Sequence, residues 1–441
     1  MPATIVVLSI GSRTSDSVTV STVTTTTVTG FTNAWSVVLS ATVPSTTKIG
    51  DRLTTGANAY LIVNISGSTL TVIGDASAAF TSTTTPATGS ATTARAYSTI
   101  SAWSSGAPSS LLTQNASNGW VWKGELYKEG AGTNNEWTVT AKITLYGASV
   151  ATDSTRYMWL AAASGASFAD NAGKLTNALR YNAANGVAIR MTGTQNVFES
   201  ANGITAYFTG LQIKGAGANT FRGFNAGGLI ALNQCIVCSD DTNPVLNLPV
   251  LQVVNCLFYN TGTVLAWATT SRQYLYACTI YSTSTTVPLL TTVNSDGNLY
   301  DNAFFGGSAV ADLSSFFVAS NNATNQASVG FGTANQVSLT TSNQFESVTA
   351  GSEDFRVKTG ATLINNGIRQ QTYTNDLDIV GSARSTTTPT IGSWEYASIP
   401  YDARVTWAEL QYEASAAPVT PTDYSEPLSR GIFRGIERGV A

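Results

Sequence analysis

Few residues in this chain of 441 could do chemistry, and the chemistry open to them is narrow. Histidine is absent, which removes Ser-His-Asp and Cys-His catalysis, histidine-bearing metal sites and the commonest general base near neutral pH. Carboxylates, lysines and tyrosines remain. Between residues 184 and 330 the acids are Glu199, Asp240, Asp241, Asp296, Asp301 and Asp312, with Lys214, Arg222 and Arg272 among the bases. A pair such as Asp241 and Asp296 is the candidate acid and nucleophile of a glycan-cleaving site, which needs two carboxyls roughly 5–9 Å apart across one groove. The local sequence opposes that role. Asp240 and Asp241 sit in SDDTNP and Asp296 in NSDG, both runs of turn formers, and Asp301 also stands at a turn position. The expectation is no catalytic residue, no metal and no cofactor.

Thiols are the second candidate. Of four cysteines, Cys235, Cys256 and Cys278 stand at intervals of 21 and 22 residues, and Cys238 falls outside that series, near an expected turn. Zinc needs ligands that converge tetrahedrally, whereas a column of side chains pointing one way offers only a stack. Stacked strands lie about 4.8 Å apart, so the three thiols read as an interior structural ladder.

That interval belongs to a longer repeat. Val187, Leu211, Cys235, Cys256, Cys278 and Asn302 each occupy the fourth position of one short phrase, at spacings of 24, 24, 21, 22 and 24. The phrase opens on Ala184, Phe208, Leu232, Val253, Leu275 and Leu299. A period in the twenties marks stacked coils. The phrases are rich in β-branched and aromatic residues and alternate with period two, as strands do. Neither a leucine-rich frame nor amphipathic helices fill the intervals, which leaves a parallel β-helix. First and fourth positions would face opposite sides of a straight strand, so a bend must lie between them. The residue before the fourth position is Gly186, Gly210, Gln234, Asn255, Ala277 or Asp301, small or polar as a corner requires.

Composition agrees. Charged residues make up 11% of the chain against about 25% in ordinary soluble proteins, too few for helical surfaces. The net charge of −4, with no basic cluster before the extreme C-terminus, predicts neither a nucleic-acid nor a membrane partner. The N-terminus lacks the pattern of a signal peptide, and no run approaches the roughly 18 apolar residues of a membrane span.

Five regions follow. Residues 1–95 read as a small Thr/Ser-rich β-domain and 96–183 as a Trp-rich cap (Trp103, Trp120, Trp122, Trp137) leading into the solenoid, with a short helix over 171–180. Rungs occupy 184–345, a terminal coil and cap 346–397, and an extended arm 398–441. In the arm Arg430, Arg434 and Arg438 recur every fourth residue, between Ile432, Phe433 and Ile436. Glycine at every fourth position opposes an isolated helix, so this segment is expected to order against a partner and serve in assembly. Tyr259, Trp267, Tyr274, Tyr276, Tyr281 and Tyr300 could form a sugar-stacking strip, although rung packing and a Tyr276–Tyr300 stack explain them more simply.

The run DFRV from Asp354, INNG ending at Gly367, DLD at 376–378, Arg384 and IGSWEY ending at Tyr396 resemble the closing coil and cap of right-handed parallel β-helix proteins of the pectate-lyase-like superfamily. Enzymes of that superfamily cleave polysaccharides with a calcium-bound acidic cluster and a base, or with paired carboxylates. The order of regions also resembles β-helix proteins encoded by tailed bacteriophages. The resemblances imply an all-β, right-handed parallel β-helix solenoid acting as a virion structural protein assembled in the host cytoplasm. The first placement is a capsid decoration or cement protein. Its partners would be the major capsid protein or tail proteins and further copies of itself, for instance in a trimer. The alternative is a tail fibre or tailspike for host attachment that binds or depolymerises a host-surface glycan. A bacterial surface adhesin is disfavoured by the N-terminus.

Overall fold

A computed structural model describes residues 3–396 except 75–79, 109–110, 113–118, 146–151, 154, 200–203, 217–220, 223–228, 240–245, 249–250, 261–264, 268–271, 292–295, 313–316, 331 and 370–375. Its body is a parallel β-helix of three sheets. Nine strands form the first: Thr4–Ile10, Trp120–Leu126, Met158–Ala162, Ala206–Thr209, Ile230–Asn233, Leu251–Val254, Arg272–Tyr276, Asp296–Tyr300 and Phe317–Ser320. An eight-stranded sheet follows around the corner, from Trp137–Val139 to Ala323–Thr324, and seven short strands from Ile143–Thr144 to Ala311–Asp312 close the third side.

Each rung repeats the in/out parity of the one before, so inward residues stack into columns. One column in the nine-stranded sheet runs Leu160, Phe208, Leu232, Val253, Leu275, Leu299. One in the eight-stranded sheet runs Ile189, Ile213, Val237, Phe258, Ile280, Phe304. All of these are buried in one continuous core. Parallel strands are commonly covered on both faces, and here the outward residues Ile236, Leu257, Ala303 and Phe305 of the eight-stranded sheet are buried as well.

The corner between the two large sheets is built as the parity break requires. Gly210, Gln234, Asn255, Ala277, Asp301 and Asn321 all have φ between +51° and +69°, a left-handed conformation that turns the chain within one residue and that Gly, Asn and Asp adopt at least cost. Gly186 differs: it is not left-handed, and a Cβ there would stand 2.2 Å from the Phe168 nitrogen, so close approach excludes a side chain.

Several boundaries differ from the sequence reading. Thr4–Ile10 is no part of the N-terminal domain; it pairs in parallel with Trp120–Leu126 as the first strand of the nine-stranded sheet. The domain proper is a closed six-stranded barrel of Asp16–Thr25, Ala34–Leu39, Thr69–Ile73, Asn58–Ser66, Arg52–Thr55 and Gly89–Ala94 around Trp35, Val37, Leu53, Tyr60, Ile62 and Leu70. It covers the free edge of the first strand, where Ser9 N–H donates to the Gly50 carbonyl at 2.9 Å and Tyr97 N–H to Ser9 O at 3.0 Å. The solenoid thus begins well before residue 184, and Trp120 and Trp122 are rung residues. Trp103 is buried against the first strands of the solenoid. It lies on the helix Ile100–Ser105, whose N-cap Thr99 accepts from Ala102 N–H, and its indole occupies the space that a side chain at Gly124 would fill.

No helix forms at 171–180, where the chain makes turns. Asn171 Oδ1 accepts from Gly173 N–H at 2.8 Å and from Asn177 Nδ2 at 3.2 Å, the local side-chain bonding by which asparagine competes with helix. Residues 345–369 and 376–396 are likewise not an end cap. They run back along the flank as a strap, and Phe345, Phe355, Val357, Leu363, Ile379, Ile391 and Trp394 pack with the outward side chains Ile236, Leu257, Ala303 and Phe305 of the eight-stranded sheet.

Candidate functional site

The corner column positions the strap. Its left-handed residues point their side chains outward, and four of them hold the returning chain. Gln234 Nε2 donates to Asp378 O at 2.7 Å, Asn255 Oδ1 accepts from Arg384 Nη2 at 3.0 Å, Asp301 Oδ1 accepts from Ile368 N–H at 2.9 Å, and Asn321 Nδ2 donates to Asn366 O at 3.1 Å. The same residues bend each rung and fasten the segment lying over it.

At the centre of this seam is a buried charged knot. Arg384 reaches Glu395 Oε2 at 3.5 Å, Thr390 O at 3.1 Å, Gly392 O at 2.8 Å and Leu377 O at 3.0 Å. Asp378 Oδ1 accepts from Val380 and Ser382 N–H, and its Oδ2 from Glu395 N–H. Burial pushes Asp301 up to about 7 and Asp378 up to about 6, and it raises Glu395; the guanidinium and the backbone donors oppose the rise without cancelling it. These carboxyls are committed to backbone N–H groups and to one arginine, which is the behaviour of a fastening.

A second knot joins barrel to solenoid. Asp51, wholly buried, receives Arg95 Nη1 and Arg13 Nη2, each at 3.0 Å, and Arg95 Nη2 meets Glu129 at 2.5 Å. The Arg95 guanidinium lies 3.6 Å from the centre of the Tyr127 ring. Arg95 thus bridges an acid of the barrel and an acid of the solenoid.

The structure places the expected site residues as follows. Cys235, Cys256 and Cys278 are free thiols, buried at the same position of successive rungs. Cys235 N–H donates to Cys256 Sγ at 3.3 Å, and two steps further Cys278 N–H donates to Asn302 Oδ1 at 3.0 Å. The column is therefore a hydrogen-bonding one as well as a packed one. Cys238 lies in the strand Ile236–Ser239, buried, opposite Lys214 and Tyr259 rather than in a turn. Asp296 opens the strand Asp296–Tyr300 in register with Arg272; Asp241 lies outside the described residues, and so do Arg430, Ile432, Phe433, Arg434, Ile436 and Arg438. Tyr276 and Tyr300 stack at 5.9 Å and 11°. Tyr259 and Tyr281 pack on Phe355 of the strap, so they do not belong to an open strip, while Trp267 lies in the strand Leu265–Trp267 of the seven-stranded sheet.

At the seam, the residues that sequence reasoning missed are Asp378, Arg384 and Glu395. Each stood in the strings that suggested a terminal cap, but spacing alone could not show that they meet over Asn255 and Asp301. Among the described residues no cluster of three or more Cys, Asp or Glu could hold a metal ion. No family model, no curated protein and no solved structure matches this chain.

Proposed function

We propose that this chain is a structural part of a tailed-bacteriophage virion, a decoration or cement protein on the outer surface of the capsid, where it meets the major capsid protein and further copies of itself. One observation carries the reading: the buried carboxylates Asp51, Asp301 and Asp378, with Glu395, are spent with Arg13, Arg95 and Arg384 on tying barrel, rungs and strap into one body. Nine stacked strands at about 4.8 Å give a stiff rod roughly 38 Å long, suited to bearing contacts. The density of intact particles tests this. Copies resolved around the capsid lattice are expected; copies confined to the tail would overturn the capsid placement.

A second reading is a host-attachment protein of the tail that binds a surface glycan. It is favoured by the half-buried aromatic group on the outward face of the nine-stranded sheet. There Lys123 Nζ lies 4.5 Å from the Trp159 ring centre, Trp159 Nε1 donates to Thr209 Oγ1, and Tyr157 lies 4.1 Å from Tyr207. Aromatic rings beside polar groups are the usual platform for a sugar face. Quenching of Trp159 fluorescence by host-surface oligosaccharides, lost in Trp159→Ala, would support it.

A further inference from the structure

The knot at the seam holds three carboxyls against one cation. Asp301 comes from the corner of the solenoid, and Asp378, Glu395 and Arg384 come from the strap. The other charged groups nearby are engaged elsewhere: Arg369 pairs with Asp376 at the exposed margin, and Lys174 Nζ turns to Val380 O at 3.0 Å. Behind Arg384, inside the solenoid, lies the Cys278 thiol, whose own pKa burial raises. One guanidinium can offset one carboxylate. The rest must be carried as buried charge or hold protons, and carrying them as charge is costly.

We propose that residues 376–396 form a proton-controlled latch, seated on the corner column while the knot holds its protons and loosened when the knot loses them. The direction follows from where the protons sit. Lifted into water, the carboxyls would ionise near 4; seated, Asp301 titrates at about 7 and Asp378 at about 6. Between those values the closed state binds more protons than the open one, so closure is strongest at about pH 4 and below, weakens progressively as pH rises to 6 and 7, and levels off above that. Release would uncover an apolar flank, because Ile379, Val380, Ile391 and Trp394 lie in one cluster with Ile236, Leu257, Ala303 and Phe305. A surface of that kind, more tightly covered in acid than above neutrality, is what an assembly step triggered by a change of compartment would use.

Hydrogen exchange in the full chain tests the latch. The reporters are the amides of Ile379, Ile391 and Gly392, which donate to Ser393 O, Leu363 O and Asp301 O. After correction for intrinsic exchange, their opening constant is expected to rise about tenfold or more between roughly pH 5.5 and 8.5. Asp301→Asn keeps the carbonyl that accepts from Ile368 and suits the left-handed backbone, so it should fold and should flatten most of that rise. Asp378→Asn, if it folds, should remove a further part. A wild-type opening constant that does not change with pH, or an Asp301→Asn protein with the full wild-type slope, would overturn the proposal.

Discussion

Asn302 and Asn322 lie one above the other inside the solenoid, and each carries the backbone of the preceding rung. Asn322 Oδ1 accepts from both the N–H and the Nδ2 of Asn302, each at 3.0 Å, while Asn302 Oδ1 accepts from Cys278 N–H. Their amide nitrogens donate inward, Asn302 to Leu275 O at 2.9 Å and Asn322 to Leu299 O at 2.8 Å. The left-handed corner explains the need. The corner residue's own N–H bonds to the next rung, as Asp301 does to Ser320 O, and the following N–H is turned into the core, where it requires an acceptor. Sulfur supplies it at Cys256 and an amide oxygen at Asn302, Asn322 and Asn335.

Replacing Asn322 by Leu is therefore expected to cost about 2–3 kcal/mol, because it orphans two buried donors and the Leu299 carbonyl. Asn302→Cys should cost distinctly less than Asn302→Leu, since a thiol, that of Cys256, already fills this role two rungs earlier. Urea denaturation of the three variants measures the order.

The thiol column should be chemically silent. Cys235, Cys256 and Cys278 are wholly buried, burial raises Cys256 and pushes Cys278 up to about 12, and the thiolate is the reactive form. Ellman's reagent at about pH 8 should label none of the three until denaturant is added. Rapid labelling of the native protein would contradict the register described above.

Arg95→Met tests the joint between barrel and solenoid. It leaves Asp51 with Arg13 alone and Glu129 without its guanidinium partner, and it removes the cation over Tyr127. A loss of about 3 kcal/mol is expected, near the lower end for breaking a buried pair because one arginine remains. If the knot is what couples the two bodies, the barrel should also melt ahead of the solenoid in the variant, seen as a second calorimetric transition.

Deleting residues 428–441 should leave the melting temperature within about 2 °C, since the rungs, barrel and strap all lie upstream. Incorporation into particles or oligomers should fall, because the removed stretch holds the apolar and arginine side chains expected to order on a neighbour. Full occupancy by the truncated protein would assign docking to the barrel.

The period, the strand character and the corner were legible in the sequence because all three repeat locally: a parity break at Gln234, Asn255, Ala277 and Asp301 needs no knowledge of distant residues. Thr4–Ile10 was not legible as a rung strand, since its partner Trp120–Leu126 follows an entire barrel and neither carries the repeated phrase. The seam was half legible. Asp378, Arg384 and Glu395 stood out as a string, yet their placement along the flank instead of across the end depends on contacts more than a hundred residues apart, such as Arg384 with Asn255. Asp301 read as a turn residue, and it is one; its second task, accepting from Ile368, is visible only once the strap is in place.

The barrel is an insertion between the first two strands of the nine-stranded sheet, and this decides how the molecule bears load. A pull on the N-terminal strand acts along its own axis, against seven residue pairs from Thr4 opposite Trp120 to Ile10 opposite Leu126. Force in that direction must shear the whole ladder at once, whereas a pull across the strands would unzip it one bond at a time. The barrel behind the strand acts as a stopper: Gly50 and Tyr97 grip its outer edge, so the strand cannot slide without dragging a folded domain with it. Single-molecule pulling from residue 3 against residue 127, at opposite ends of this parallel pair, would show one high rupture peak when the ladder gives way.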